Sequence, residues 1–225
     1  MSSKPDIIFF GGTFDPIHVG HMDAVRISQE AFPDARLVVV PSMAPPALAT
    51  ANKKVMTDFV DRVAMAVIAF DEWPRVEVSS VEEELPAPNY TYATLQALKT
   101  EHPGSHLAWM IGADQLEGFH HWKNPRIILE LASLIVLPRP SLSRRIVIDS
   151  ARELASKLGF SSAFDAHAGR LDLDGGGSIY VMEQTPQSES STEIRALAAR
   201  DIKKIEGKVA RPVIDYIVDL ELYQS

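Results

Sequence analysis

Along the chain, short apolar runs that stop at glycine or proline alternate with stretches whose apolar residues recur at helical spacing. Residues 7–10, Ile-Ile-Phe-Phe, are apolar on both faces and end at Gly11-Gly12, which predicts a buried strand of a parallel sheet. Met22, Val25 and Phe32 follow at helical spacing, up to Pro33. Residues 37–40 predict a second strand, closed by Pro41. Val55, Phe59, Val63 and Val67 then recur every four residues, with Met56, Val60 and Ala64 beside them. Asp58, Asp61 and Arg62 fall on the other face, so this stretch predicts an amphipathic helix. Further strands are expected at 76–78, 107–111, 134–137 and 178–182. Helices are expected around Thr94, Leu95 and Leu98, over 127–132, over 144–158 with Gly159 as the stop, and over 192–200 and 212–220.

The alternation of strand and helix predicts an α/β fold, a doubly wound parallel sheet with helices on both faces and a small C-terminal helical segment over about 188–225. No internal repeat or linker divides the chain, so 1–225 is expected to be one domain. In such sheets ligands sit beyond the carboxyl ends of the strands, so the chemistry is expected just after strands. Residues 41–54, 79–88 and 163–177 are expected to be loops, the last mobile because it holds Gly175-Gly-Gly177.

Composition narrows the function. The 225 residues are 46% hydrophobic, enough for a sizeable core. There is no cysteine, which removes disulfides and thiolate chemistry and fits a reducing compartment. The start, Met1-Ser-Ser-Lys-Pro-Asp6, lacks the apolar stretch of a signal peptide, and the apolar runs are too short for a membrane span, so a cytoplasmic protein is expected. A net charge of −8 argues against nucleic acid as the partner but not against a small phosphorylated ligand.

The strongest chemical signal is Gly11-Gly-Thr-Phe-Asp-Pro-Ile-His-Val-Gly-His21, where a strand feeds a glycine turn and a helix begins near His21. Glycines let backbone approach a phosphate, and a helix N-terminus supplies free N–H groups. His18 and His21 can both face an anion held there. The motif lacks the Gly-Lys-Ser/Thr of a P-loop and the GxGxxG spacing of a dinucleotide fingerprint. A second signal is Ser190-Ser-Thr-Glu-Ile-Arg195, where Ser191 or Thr192 can cap a helix and Arg195 can fork onto phosphate oxygens. Alone, it also reads as an ordinary cap beside a solvated arginine. Gly112-Ala-Asp114 follows a strand and doubles as a plain turn. Trp122-Lys123 is equally readable as a core aromatic, and Asn89-Tyr-Thr-Tyr-Ala-Thr-Leu95 as a helix start capped by Thr91.

Together these segments resemble the bacterial nicotinate-mononucleotide adenylyltransferases, members of the HxGH nucleotidylyltransferase superfamily with a Rossmann-like fold. Positions 11–21 match that family's GGTFDPIHxGH throughout, residues 190–195 are similar to its ISSTxIR, and residues 89–95 to its SYTxxTL. The closing stretch from Val213 to Tyr223 resembles its VxxYIxxxxLY and reads as packing. The resemblance implies transfer of AMP from ATP to nicotinate mononucleotide, giving nicotinate adenine dinucleotide and pyrophosphate, a step of NAD biosynthesis. It implies an ATP site of Gly11, Gly12, Thr13, Phe14, His18, His21, Gly112, Asp114, Ser191, Thr192 and Arg195. His18, His21 and Arg195 would be catalytic, His21 on the α-phosphate and Arg195 on the leaving pyrophosphate. Tyr90 and Thr91 would recognise the nicotinate carboxylate, and Trp122 would stack on the pyridine ring. Mg²⁺ would bind mainly through ATP phosphates, with no dedicated protein ligands, and Asp15 would play a supporting part. One departure stands out: where the family carries Pro-Pro-His and then a cation, this chain has Pro45-Pro-Ala47-Leu48, so Lys53 or Lys54 is expected to meet the substrate phosphate instead. Two rivals remain: a sibling enzyme using nicotinamide mononucleotide, pantetheine phosphate or another phosphate acceptor, and a non-catalytic nucleotide-binding module.

Overall fold

A computed structural model describes residues 4–45 and 56–224. Eight strands form one sheet: β1 (Ile7–Gly12), β2 (Arg36–Pro41), β3 (Val76–Val78), β4 (Leu107–Gly112), β5 (Ala132–Leu137), β6 (Ser162–Asp165), β7 (Arg170–Leu173) and β8 (Ser178–Val181), in the order β3-β2-β1-β4-β5-β8-β7-β6. The strands from β3 to β8 in that order pair in parallel, while β7 is antiparallel to β8 and β6 to β7. The chain order reverses between β1 and β4, so the switch point lies beyond Gly12 and Gly112.

Alternate side chains of the central strands feed two cores. Ile8, Leu37, Val39, Ala108, Met110 and Ile135 face one side, under α1 (Val19–Ala31), α2 (Phe59–Phe70), α7 (Ser191–Ala198) and α8 (Arg211–Asp219). Phe9, Val38, Trp109, Ile111, Leu134 and Val136 face the other, under α3 (Thr91–Glu101), α4 (Ala113–Leu116), α5 (Pro125–Leu131) and α6 (Arg144–Lys157). A strand buried on both faces has to be apolar at every position, which is why the runs were continuous rather than alternating. No helix among the described residues is long and apolar enough to cross a membrane.

Three expectations are corrected. Residues 163–177 are not a mobile loop: they hold the β6–β7 hairpin and its return to β8. Leu171 and Leu173 are buried, the Ser178 hydroxyl donates to Asp172 at 2.7 Å, and Gly177 N–H donates to the Leu129 carbonyl at 2.7 Å. A side chain at Gly177 would strike the Ala132 carbonyl at 2.8 Å, so glycine serves close packing there. Within 79–88 a 3-10 turn, Val81–Glu84, buries Glu82. In α2 the buried face is Arg62, Met65, Ala66, Ala69 and Phe70, while Val60 and Val67 are 69% and 47% exposed. Arg62 turns inward because three backbone carbonyls meet its guanidinium, as described below.

Candidate active site

The end of β1 sets the site. Gly11 and Gly12 finish the strand, Thr13 and Phe14 turn the chain with Phe14 at φ 51°, and Asp15, Pro16 and Ile17 run buried to His18. His18 is the N-cap of α1, so the helix begins two residues before the sequence suggested and His21 lies in its first turn. The two imidazoles stack, with centroids 3.6 Å apart and planes 20° from parallel. The His18 backbone N–H donates to His21 Nδ1 at 3.3 Å, and Phe14 meets the His21 ring edge-on at 4.9 Å. His18 is only 5% exposed, and its Nδ1 has no hydrogen-bond partner among the described residues. Burial pushes the His18 pKa down to about 4 against a pull upward from Glu189, and Arg139 adds to the depression. Burial also holds His21 well below the usual histidine range, helped by His18 and Arg139. Both rings are therefore neutral near pH 7, each able to offer one N–H.

The C-terminal segment docks onto this turn. Gly20 is where the two approach: a side chain there would meet the Gln187 carbonyl at 2.5 Å. The Gln187 N–H donates to Asp23 at 2.9 Å. The N-cap of α7 is Ser190 rather than Ser191 or Thr192. The Ser191 hydroxyl donates across to the Pro16 carbonyl at 3.0 Å. Arg195 Nη1 donates to the Asp15 carbonyl at 2.5 Å, and Nη2 reaches the Thr192 hydroxyl at 3.4 Å. Glu189 pairs with Lys208 at 2.8 Å, and the Lys208 carbonyl accepts from Val19 N–H at 2.9 Å. The two motifs that carry His18, His21, Ser191, Thr192 and Arg195 are thus docked on each other.

The other half of the switch point carries Gly112 and Asp114, at the end of β4 and in α4. Asp114 accepts from Arg139 Nε at 2.6 Å. Arg139 was not singled out from the sequence, although Pro138-Arg-Pro140 directly follows a strand, where ligand residues belong. Its charge is felt at both histidines. Tyr90 is the N-cap of α3 and Thr91 its first residue, so Thr91 and Tyr92 contribute first-turn N–H groups that lack helical acceptors. Asn89 fixes this start: its Oδ1 accepts from Ala44 N–H at 3.0 Å and its amide donates to Glu82 O at 3.1 Å. Trp122 is half-buried and stacks on the buried Phe119 at 4.8 Å, with Lys123 exposed beside it. Lys53 and Lys54, like Ala47 and Leu48, lie outside the described residues.

Two further residues escaped the sequence reading. Arg62 Nη1 donates to the carbonyls of Thr13 and Ser42, both at 2.7 Å, and its Nε to Thr57 O at 3.2 Å. It thereby joins the glycine turn, the exit of β2 and the entry to α2. Tyr223, expected only to pack, places its hydroxyl 2.8 Å from Asp15 Oδ1.

Residues 9–197 match the cytidylyltransferase-like family. A probable nicotinate-nucleotide adenylyltransferase of Acidithiobacillus ferrooxidans is 33% identical over 227 residues, covering 100% of this chain and 98% of its own. One of Psychromonas ingrahamii is 30% identical over 216 residues, 96% of each chain. The structure of Plasmodium falciparum nicotinic acid mononucleotide adenylyltransferase complexed with NaAD superposes with a TM-score of 0.70 at 18% identity, covering 98% of both chains. The chain belongs to the cytidylyltransferase-like family and, within it, to the nicotinate-nucleotide adenylyltransferases.

Proposed function

We propose that this nucleotidyltransferase moves the adenylyl group of ATP onto the 5′-phosphate of nicotinate mononucleotide in the crevice between the ends of β1 and β4. The observation that carries this reading is the docking of α7 on the glycine turn, which sets Arg195 and Ser191 against Asp15 and Pro16 beside the two histidines. A phosphate oxygen of the mononucleotide attacks the α-phosphorus in line. The bond from that phosphorus to the bridging oxygen breaks, and pyrophosphate leaves with the electron pair. The attacking phosphate is already an anion, so no protein nucleophile takes part. Rate enhancement comes from positioning and from donors aimed at the transferring group.

Gly11 to Phe14 present backbone to the triphosphate, and His18 and His21 donate to its oxygens, with His21 on the α-phosphate. Neutral imidazoles suit that role, because each keeps one N–H and the ring need not shed a proton first. Arg195, with Ser191 and Thr192, holds the β- and γ-phosphates and then the departing pyrophosphate. Gly112 and Asp114 contact the nucleotide. The first turn of α3 at Tyr90 and Thr91 receives the nicotinate carboxylate, as a helix N-terminus favours an anion. Trp122 stacks on the pyridine ring, and Lys53 or Lys54 meets the mononucleotide phosphate. Asp15, the carboxylate inside the turn, has one oxygen on Tyr223 and the other on the Met56 N–H, so Mg²⁺ would be held mainly through the triphosphate. Mg²⁺ bound this way would supply neutralisation of phosphate charge and would keep much of its water.

The test is pyrophosphate release with ATP and a panel of acceptors. Nicotinate mononucleotide is expected to give the highest kcat/KM. A higher value with nicotinamide mononucleotide or pantetheine phosphate assigns the chain to a sibling activity, and no release with any acceptor leaves a binding module.

A further inference from the structure

Asp15 presents a buried negative charge beside the arginine proposed to hold the triphosphate. It is 2% exposed, and Arg195 Nη1 lies 3.7 Å from its Oδ2 while bonding its backbone carbonyl at 2.5 Å. Carboxylate and triphosphate therefore compete for one guanidinium, and a bidentate carboxylate–arginine pair would win it away from solvent-side ligands. Two neutral donors occupy the carboxylate instead. Met56 N–H sits on Oδ2 at 2.9 Å and the Tyr223 hydroxyl on Oδ1 at 2.8 Å. The chain makes an effort to bring Tyr223 there. Past α8, which is pinned by the Tyr216 hydroxyl on Asp61 at 2.9 Å, the backbone returns on Leu222 N–H to Ile217 O and adopts φ 63° at Tyr223. Non-glycine residues enter that left-handed region rarely, so the surrounding bonds hold the turn in place.

We infer that Tyr223 is a positioning residue: by donating to Asp15 it keeps the carboxylate from closing onto Arg195, so the guanidinium stays on the Asp15 carbonyl with its remaining N–H groups open to the triphosphate. This rests on the reading of Arg195 as a phosphate ligand. Burial, and then the Asp15 charge, push the Tyr223 phenol far above its ordinary range, so the hydroxyl keeps its proton and remains a donor.

The test uses the full chain with Tyr223→Phe, Asp15→Asn, the double variant Tyr223→Phe with Asp15→Asn, and Arg195→Lys. KM for ATP, KM for the mononucleotide, kcat and the melting temperature are measured for each. Tyr223→Phe is expected to raise the ATP KM about tenfold, the scale of one charge-assisted hydrogen bond, and to leave the mononucleotide KM within about twofold. Adding Asp15→Asn is expected to return the ATP KM toward that of the parent, because a neutral amide does not capture Arg195. A tyrosine that merely braces the fold would show no such rescue; the second change would add to the first and lower the melting temperature further, and that result overturns the inference. An unchanged ATP KM in Tyr223→Phe, alongside a raised one in Arg195→Lys, also overturns it while sparing the reading of Arg195. An unchanged ATP KM in Arg195→Lys removes that reading itself.

Discussion

The imidazoles of His18 and His21 lie stacked 3.6 Å apart at the start of α1, a contact that disfavours charging both rings. Two imidazolium rings at this separation, largely out of water, would repel strongly. The same packing sets both rings beside the glycine turn, each with one N–H to offer.

A pH titration follows from this. The His18 pKa falls from 6.5 in the unfolded chain to about 4 in the folded one, mainly through burial. A depressed folded value means that the unfolded chain binds more protons between these limits. The stability tied to neutral His18 is therefore complete above pH 6.5 and is lost as the pH falls through about 4. Histidine Cε1 resonances are expected to show His18 still neutral at pH 5, and His21 titrating well below the ordinary histidine range. Unfolding free energy in His18→Asn should fall less steeply with acid over that window than in the parent. A normal titration near 6.5 for either ring would contradict the buried, stacked geometry.

Loss of either ring should act on turnover. His18→Ala and His21→Ala are each expected to lower kcat about a hundredfold, since removing one donor to transition-state charge typically costs ~3 kcal/mol. Circular dichroism and melting curves check that the fold survives. Near-parental kcat in both variants would remove the histidines from the chemistry.

Trp122 separates two roles cleanly. Its ring stacks on Phe119, yet it remains half-buried, so one face is not consumed by the core. Trp122→Ala is expected to raise the mononucleotide KM by a factor equivalent to ~1–3 kcal/mol of stacking, with the ATP KM little changed. Its fluorescence should respond to the mononucleotide and not to ATP. A variant that loses thermal stability while keeping its KM would make Trp122 a packing residue.

The strands that build the site were legible because each is an apolar run cut by glycine or proline: β1, β2, β4 and β5 are buried on both faces, and sequence spells that out residue by residue. The histidine and arginine motifs were legible because each sits at a strand or helix end, where backbone N–H groups are free. The β6–β7 hairpin was not, since its strands are four residues long and its buried leucines, 171 and 173, stand beside a glycine run that reads as a loop. Tyr223 on Asp15 joins residues 208 positions apart, and no local pattern encodes such a pair. Arg62 was misread for a related reason: a charge on a helix is assigned to solvent unless its partners are known, and its partners are three carbonyls, one in the turn after β1 and two in the connection between β2 and α2.

Arg62 yields the last prediction. The residue is 2% exposed, and burial lowers its pKa against the pull of Asp15. Five N–H donors in a rigid fork let one side chain serve Thr13, Ser42 and Thr57 at once. Truncation in Arg62→Ala leaves those carbonyls without their donor and the neighbouring Asp15 and Glu82 charges less balanced. Each unsatisfied buried acceptor costs about 1–3 kcal/mol, so a total loss on the order of 3 kcal/mol is expected, less than the simple sum because water can enter the gap. For a chain of this size that corresponds to a fall of roughly 6–12 °C in melting temperature. Arg62→Lys keeps the charge but can reach fewer carbonyls, so it should fall between Arg62→Ala and the parent. Because Thr13 lies in the turn proposed to hold the triphosphate, the ATP KM should rise in both variants, whereas disruption confined to the helix would leave it unchanged. Urea unfolding and initial-rate kinetics on the same preparations check both halves. Parental stability in Arg62→Ala would mean that the three carbonyl-bearing segments hold their places without it.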